Sequence, residues 1–227
     1  TKDLELKDSV YHDLLTGLPN RAKFSEDITS YFTRAKDGGA LTALLLIDID
    51  NMKNINDLKG HSQGDETLKK SAEILDIFKR SNITSYRFGD DEFMAVIPNA
   101  DALDSLANIT DAIFEAFDIH GISVSGGVTV YPEDSESEDD LLRFADIAVQ
   151  YAKKNGKHKF EFFNSDMQRM FIQRLNMQAK ISSALHSKAF YLVYQPQFDV
   201  QSGALRGFEA LTRWHDEELG NVSPVVF

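Results

Sequence analysis

The sequence predicts an α+β fold in which a mostly antiparallel sheet is covered by helices, with a second unit beginning near residue 164. Three observations predict it. Apolar runs of strand length alternate with stretches of helical period in the order β-α-α-β-β-α-β-α-β, two of the strands meet across a short turn, and the whole pattern restarts after Asn164. Strands joined by hairpins argue against a doubly wound parallel sheet, which needs a long crossover between strands. With 227 residues, 42% of them hydrophobic, the chain can build one core of roughly 150 residues with a remainder left over. The expected organisation is a connecting helix over 1–12, a first domain over 13–163 and the opening fragment of another over 164–227.

Leu4, Val10, Tyr11 and Leu14 recur at near-helical spacing among charges, as in a connecting helix. The segment from Asp13 to Arg21 carries Gly17 and Pro19 and reads as a turn, followed by a helix to about Lys36. Residues 41–47 are continuously apolar and are closed by Asp48, the pattern of a buried central strand with a carboxylate at its end. Helices are expected over 51–58 and 62–80, with Gly60 and Gly64 near their junction, then strands over 85–88 and 93–97 joined through Gly89, Asp90, Asp91 and Glu92. Helical period returns over 102–117, strand alternation over 122–130, and a helix over 139–154 precedes a short strand near Phe160. Ser137 is placed to cap that last helix, whose first turn favours Glu138, Asp139 and Asp140. From Asn164 a long helix is expected to about Ser187, then a strand over 190–194 stopped by Gln195 and Pro196, a turn at Gln201, Ser202 and Gly203, and a strand reaching Trp214.

Composition excludes several functions. There are 36 acidic against 24 basic side chains, a formal charge of −12, so the molecule repels phosphate backbones and anionic lipid surfaces, and neither nucleic acid nor direct membrane contact is expected. Cysteine is absent, which rules out disulfides and thiolate metal sites and makes the cytoplasm the expected compartment. No apolar run approaches the roughly 20 residues needed to cross a bilayer. Residue 1 is Thr, so the natural N-terminus of the parent protein, with a sensor or a membrane anchor, is expected outside this sequence.

The chemistry-bearing residues are the carboxylates. Asp48 and Asp50 close a buried strand, and Asp91 and Glu92 sit at the turn of a hairpin that can lie beside it. Acids gathered at strand ends are costly unless something positive joins them, and Mg²⁺ (or Mn²⁺), which takes a few carboxylates together with substrate phosphate oxygens, is the economical explanation. Asp48 is the first choice of ligand, being the residue that ends the apolar run.

The run Asp13-Leu14-Leu15-Thr16-Gly17-Leu18-Pro19-Asn20-Arg21 is followed by Asp48-Ile49-Asp50-Asn51-Met52-Lys53-Asn54-Ile55-Asn56-Asp57. After these come Gly60-His61-Ser62-Gln63-Gly64-Asp65, Arg87-Phe88-Gly89-Asp90-Asp91-Glu92-Phe93, and finally Ala145-Asp146 with Ala152-Lys153-Lys154-Asn155-Gly156-Lys157. In order and spacing these motifs resemble those of a GGDEF domain, the diguanylate cyclase family, whose members join two GTP molecules into cyclic di-GMP on a nucleotidyl-cyclase, palm-like sheet. The resemblance implies that Asp48, the Ile49 carbonyl and Asp91 hold metal, that Asn56 and Asp65 read guanine, and that Lys53, Lys153 and Lys157 contact phosphates. It implies a supporting catalytic role for Glu92 beside Asp91. It also implies a homodimer, because each domain holds one GTP and the 3′-hydroxyl of one must attack the α-phosphate of the other.

Two departures from the family pattern matter. Asp90 stands where the signature has its second glycine. At about 5 Å from a phosphate oxygen and an effective dielectric of about 20, one extra negative charge costs roughly 3 kcal/mol, about a hundredfold in turnover. The family's product-inhibition site is an Arg-x-x-Asp before the signature, and the matching positions here are Arg80 and Ile83, so feedback by cyclic di-GMP is expected to be weak.

The second unit carries Tyr194-Gln195-Pro196-Gln197-Phe198 and then Gly207-Phe208-Glu209-Ala210-Leu211-Thr212-Arg213-Trp214. This resembles the opening of an EAL domain, a TIM-type barrel that hydrolyses cyclic di-GMP with divalent metal. The resemblance implies Glu209 as a metal ligand and Gln195 and Arg213 as substrate contacts. Only roughly 60 residues of a barrel of about 250 are present, so hydrolysis by this stretch alone is not expected. Two functions follow from the two resemblances: a cyclase slowed by Asp90 within a protein that also carries a phosphodiesterase, or a degenerate GTP-binding module that regulates that phosphodiesterase.

Overall fold

The computed structural model describes residues 10–227, which divide into two compact units between Gln168 and Arg169. The expected connecting helix over 1–12 lies almost entirely outside the described residues. In the first unit the elements are α1 (Arg21–Gly38), β1 (Leu41–Ile49), α2 (Met52–Lys59), α3 (His61–Ile77), β2 (Thr84–Arg87), β3 (Glu92–Ala100), α4 (Leu103–Ile119), β4 (Val124–Tyr131), α5 (Glu138–Lys154) and β5 (Lys159–Phe162). The strands form one sheet in the order β2-β3-β1-β4-β5. Every pairing is antiparallel except β4 with β5.

The apolar run of β1 is continuous because the strand is covered on both faces. Ala43, Leu45, Ile47 and Ile49 enter one core with Leu68, Leu75, Ile113 and Phe117 from α3 and α4. Leu44 and Leu46 enter the other with Phe24, Ile28 and Phe32 from α1 and Leu141, Ala145 and Val149 from α5. The period-two alternation of a strand thus feeds two helical layers, and β1 is the seam between them.

Local signals set the helix ends. The Asn20 side chain accepts from Lys23 N at the start of α1, and Gly39 closes it at φ 63°. In α1, Phe24, Ile28 and Phe32 recur every four residues and are buried, which stabilises by about 2 kcal/mol for each large side chain fully removed from water. The Ser137 side chain caps α5 by accepting from Asp140 N, with Glu138, Asp139 and Asp140 in the first turn and Lys153 and Lys154 in the last. The helix expected over 62–80 ends earlier, at Ile77, and passes into a 3-10 turn, Phe78–Ser81, closed by Asn82 at φ 61°.

Helix α5 lies close against β4 at Gly127. A Cβ built there would sit 2.1 Å from the Ala145 carbonyl oxygen and 2.8 Å from Val149 N, contacts to helix backbone that cannot yield without moving the helix.

In the second unit, the C-terminal part of α6 (Ser165–His186) covers a three-stranded sheet of β6 (Phe190–Phe198), β7 (Leu205–Asp216) and β8 (Gly220–Val222), in that order and antiparallel throughout. Trp214 and Ala184 are buried with Val222, and Phe190 and Phe227 pack on them. Lys180 pairs with Asp216 at 3.0 Å and Glu218 at 2.9 Å. The expected stop at Gln195 and Pro196 is corrected: β6 runs through both, with Pro196 opposite Phe208. In an antiparallel ladder alternate N–H groups point away from a given neighbour, so one strand position in two can lack its N–H without losing a bond to that neighbour. All pairings in this stretch are antiparallel, so it displays no parallel β/α repeat.

Substituting Gly127→Ala is expected to destabilise the protein by about 3 kcal/mol through displacement of α5. Urea unfolding checks it, and a loss near zero would mean that α5 is not seated on β4 as described.

Candidate functional site

The last residues of β1 turn its buried strand into a charged edge. Asp48 follows Leu44 and Leu46 on the face toward α5, and there Lys153 Nζ lies 2.6 Å from Asp48 Oδ2. Across the strand pair, Glu92 stands opposite Asp48, and Ile49 N donates to the Asp91 carbonyl at 3.1 Å. Two acidic segments far apart in sequence are therefore fixed side by side by sheet pairing.

Their electrostatics follow. Burial raises the Asp48 carboxyl pKa above the ordinary aspartate value, more than Lys153 lowers it, and Asp91 and Asp50 raise it further. Glu92 is raised in the same sense, first by burial and then by Asp48, Asp91 and Asp146. The cluster is short of positive charge. Its donors are hard carboxylate oxygens, which suits a divalent ion such as Mg²⁺ or Mn²⁺. Among the described residues no group of three or more His, Cys, Asp or Glu side chains converges as a metal cage. An ion here would use Asp48, Asp91 and a backbone oxygen, with the remaining positions left for substrate and water.

Beside the acids is an open cleft of about 380 Å³ lined in part by Lys53, Asn56, Asp65, Asp90 and Asp91. Asn56 lies on α2 and Asp65 on α3, and the two helices are hinged at Gly60, whose φ of 84° and N–H bond to the Asn56 carbonyl at 2.9 Å turn the chain sharply. Gly64 makes room for the amide: a Cβ there would lie 2.0 Å from Asn56 Oδ1.

The signature turn needs its first glycine for space, since a Cβ on Gly89 would meet Glu92 Oε2 at 2.7 Å. Its second position behaves differently. Asp90 is exposed and is absent from the positive-φ residues, so the backbone makes no demand for glycine there. The Asp90 carbonyl accepts from Arg87 Nη2, and the residue lines the cleft. What Asp90 changes is charge and bulk at the cleft wall.

Lys153, Asp48, Asp91 and Glu92 are brought together, and Lys53, Asn56 and Asp65 share the cleft with Asp91. Lys157 is held separately, its Nζ donating to Asn51 Oδ1 at 2.7 Å. Arg80 is exposed on the 3-10 turn, while Ile83, at the position of the inhibitory acid, is buried in the core. In the second unit Gln195 stands opposite Glu209, and Arg213 follows Glu209 by four residues on the same strand, so the three share one face of the sheet. Sequence reasoning grouped Asp50 with the other acids, but the fold engages it elsewhere. Its carboxylate accepts from Ser123 Oγ at 2.7 Å, Ser125 Oγ at 2.7 Å and His158 N at 3.1 Å. Nothing in the linear pattern announces these partners, which come from β4, the residue just before it and the loop after α5.

The fold is thus a helix-covered sheet whose central strands deliver neighbouring carboxylates beside a polar cleft. Residues 10–159 match the diguanylate cyclase GGDEF domain family and residues 178–227 match the EAL domain family. The chain belongs to the GGDEF family and continues into an EAL domain. It is 32% identical over 230 residues to the bifunctional diguanylate cyclase/cyclic di-GMP phosphodiesterase MucR of Pseudomonas aeruginosa, covering 98% of this chain and 34% of that protein. It is 29% identical over 226 residues to the cyclic di-GMP phosphodiesterase NbdA of the same organism, covering 96% and 29%. The solved GGDEF domain of TpbB (YfiN), also from P. aeruginosa, superposes with a TM-score of 0.66 at 29% identity, over 70% of this chain and 98% of that one. The chain spans about a third of the length of these curated relatives.

Replacing Lys153→Met removes the ammonium that lowers the Asp48 pKa, so the Asp48 carboxyl should titrate at higher pH still. A carbon NMR titration in chelator reads this, and an unchanged or lower value would mean that the ion pair does not govern Asp48.

Proposed function

We propose that the first unit binds GTP with a divalent metal and, as a dimer, condenses two GTP molecules into cyclic di-GMP at a rate reduced by Asp90. The observation that carries this reading is the fixed adjacency of Asp48 and Asp91 beside a cleft shared by Asn56 and Asp65. Asp65 can accept from guanine N1–H and N2–H while the Asn56 amide serves an acceptor edge. Lys53, Lys153 and Lys157 offer cations for the triphosphate, although Lys157, where Arg is more usual, loses the bidentate fork.

The reaction joins the 3′-oxygen of one GTP to the α-phosphorus of another, breaks the bond to the β-phosphate oxygen and releases pyrophosphate. Repeated in the opposite sense, it closes the ring. A bound metal would lower the pKa of the attacking hydroxyl and stabilise charge on the phosphate. This chain's own part is to hold that ion on Asp48, Asp91 and the Ile49 carbonyl, to orient guanine, and to supply cationic side chains to the phosphates. Glu92 adds a third carboxylate that strengthens the local field. One protomer carries one such cleft, so two copies must meet with their clefts opposed. For the whole protein we propose a cyclic di-GMP signalling role in which an EAL phosphodiesterase, using Glu209 for metal and Gln195 and Arg213 for substrate, accompanies the cyclase. Its compartment on this reading is the cytoplasm; among the described residues no helix is long and apolar enough to cross a membrane.

The second reading, a GTP-binding regulatory module without turnover, is favoured by a specific feature: an acid at the cleft wall where the signature has glycine. Incubation with GTP and Mg²⁺ beside a GTP-binding titration separates the two. Product supports the cyclase, whereas binding without product supports the regulatory module and overturns the first reading.

Asp90→Gly should raise turnover. Because Asp90 is exposed, water screens its charge, and the gain is expected to be about tenfold rather than a hundredfold. No gain would remove the charge at position 90 as the cause of slow turnover. Gly64→Ala, by evicting Asn56 Oδ1, should cut the preference for GTP over ATP about tenfold in competition titrations; unchanged preference would exclude Asn56 as a guanine reader.

A further inference from the structure

Three successive residues after α5 have positive φ: Gly156 at 111°, Lys157 at 60° and His158 at 48°. Glycine adopts this region freely, but two consecutive side-chain-bearing residues do so only when their surroundings hold them there. The holding groups are identifiable. Lys157 N donates to the Ala152 carbonyl at 3.0 Å, and the next N–H, that of His158, donates to Asp50 Oδ2 at 3.1 Å. The His158 ring is braced by Asp118 at 3.1 Å and by the Phe114 ring at 4.9 Å.

Asp50 is itself immobilised. It is buried, its N–H donates to the Ser123 carbonyl at 2.9 Å, and Ser123 and Ser125 donate to its two carboxylate oxygens. The next residue, Asn51, also has positive φ, at 59°, and accepts from Lys157 Nζ at 2.7 Å. Two consecutive residues at the end of β1 therefore grip the same lysine, Asp50 through the backbone that follows it and Asn51 through its ammonium.

We propose that Asp50 is a positioning residue for phosphate binding: by holding the left-handed Lys157–His158 backbone, it sets the Lys157 ammonium for the terminal phosphates of a nucleoside triphosphate. The proposal rests on the reading that this unit binds GTP and that Lys157 contacts phosphate. Asp50 needs no contact with substrate for this role. Its carboxylate accepts three hydrogen bonds from protein donors, whereas Asp48, two residues earlier near the end of β1, is paired with Lys153. The two acids of the Asp48-Ile49-Asp50 run thus divide between the metal-binding cluster and the lysine loop.

The test uses the whole chain with four variants: Asp50→Ala, Asp50→Asn, Lys157→Ala, and the double Asp50→Ala/Lys157→Ala. In the nucleotide-free protein, hydrogen exchange over 155–158 should speed up in Asp50→Ala. It should stay slow in Asp50→Asn, whose amide oxygen can still accept from His158 N while its NH₂ donates to a serine hydroxyl. GTP affinity should fall about tenfold in Asp50→Ala and in Lys157→Ala, with no further loss in the double variant, while guanosine affinity stays unchanged. Unchanged exchange in Asp50→Ala overturns the tether. Equal losses of GTP and guanosine affinity assign Asp50 to the general integrity of the site and overturn its positioning role. If Lys157→Ala weakens GTP binding and Asp50→Ala does not, the positioning role alone fails. If Lys157→Ala leaves GTP binding intact while exchange behaves as expected, the phosphate reading of Lys157 is what fails.

Discussion

The site depends on one piece of sheet pairing. The antiparallel register between β1 and β3 sets Asp48 opposite Glu92, and the bond from Ile49 N to the Asp91 carbonyl carries the ladder into the turn. Backbone hydrogen bonds, which do not depend on the side chains present, thereby force like-charged carboxylates together at the rim of a buried sheet. Burial first, and then repulsion between neighbouring carboxylates, raises the proton affinity of Asp48 and Glu92. Apolar packing on both faces of β1 provides the stability against which that electrostatic cost is held.

Around this rim, absent side chains matter as much as present ones. Gly89 leaves space for Glu92, Gly64 for Asn56 and Gly127 for the backbone of α5, on which Lys153 is carried. Each is a place where one Cβ would displace a polar group or a helix rather than a soft apolar neighbour. The two family departures are of different kinds. At position 90 the backbone accepts Asp without strain, so the change acts through charge and bulk. At position 83, where the motif resemblance would place an acid, an isoleucine is packed in the core.

The C-terminal unit is organised by its own small core around Trp214. The residues that resemble EAL metal and substrate contacts, Gln195, Glu209 and Arg213, occupy the face opposite the one on which Phe190 and Trp214 pair. Sheet alternation thus sets the packing face apart from the face that carries these three residues within the same two strands.

Much of this protein could be read from the chain alone, for physical reasons. The apolar run ending in Asp48, the Gly-Asp-Asp-Glu turn, the Ser137 cap and the periodicity of α1 and α5 are local signals, and the elements they specify are the ones observed. The motif residues Asp48, Asn56, Asp65, Asp91 and Lys153 were recognisable because their spacing is carried in the sequence itself. The first half of β6 was legible, but its continuation through Gln195–Phe198 was not, because Pro196 is a breaker only where its missing N–H would be needed, and which N–H groups a ladder uses is decided by strand pairing. Asp50's partners were invisible for the same reason: Ser123, Ser125 and His158 are remote in sequence, and only folding of β4 and the loop after α5 onto the end of β1 turns an apparent fourth metal-site acid into the anchor of a lysine loop.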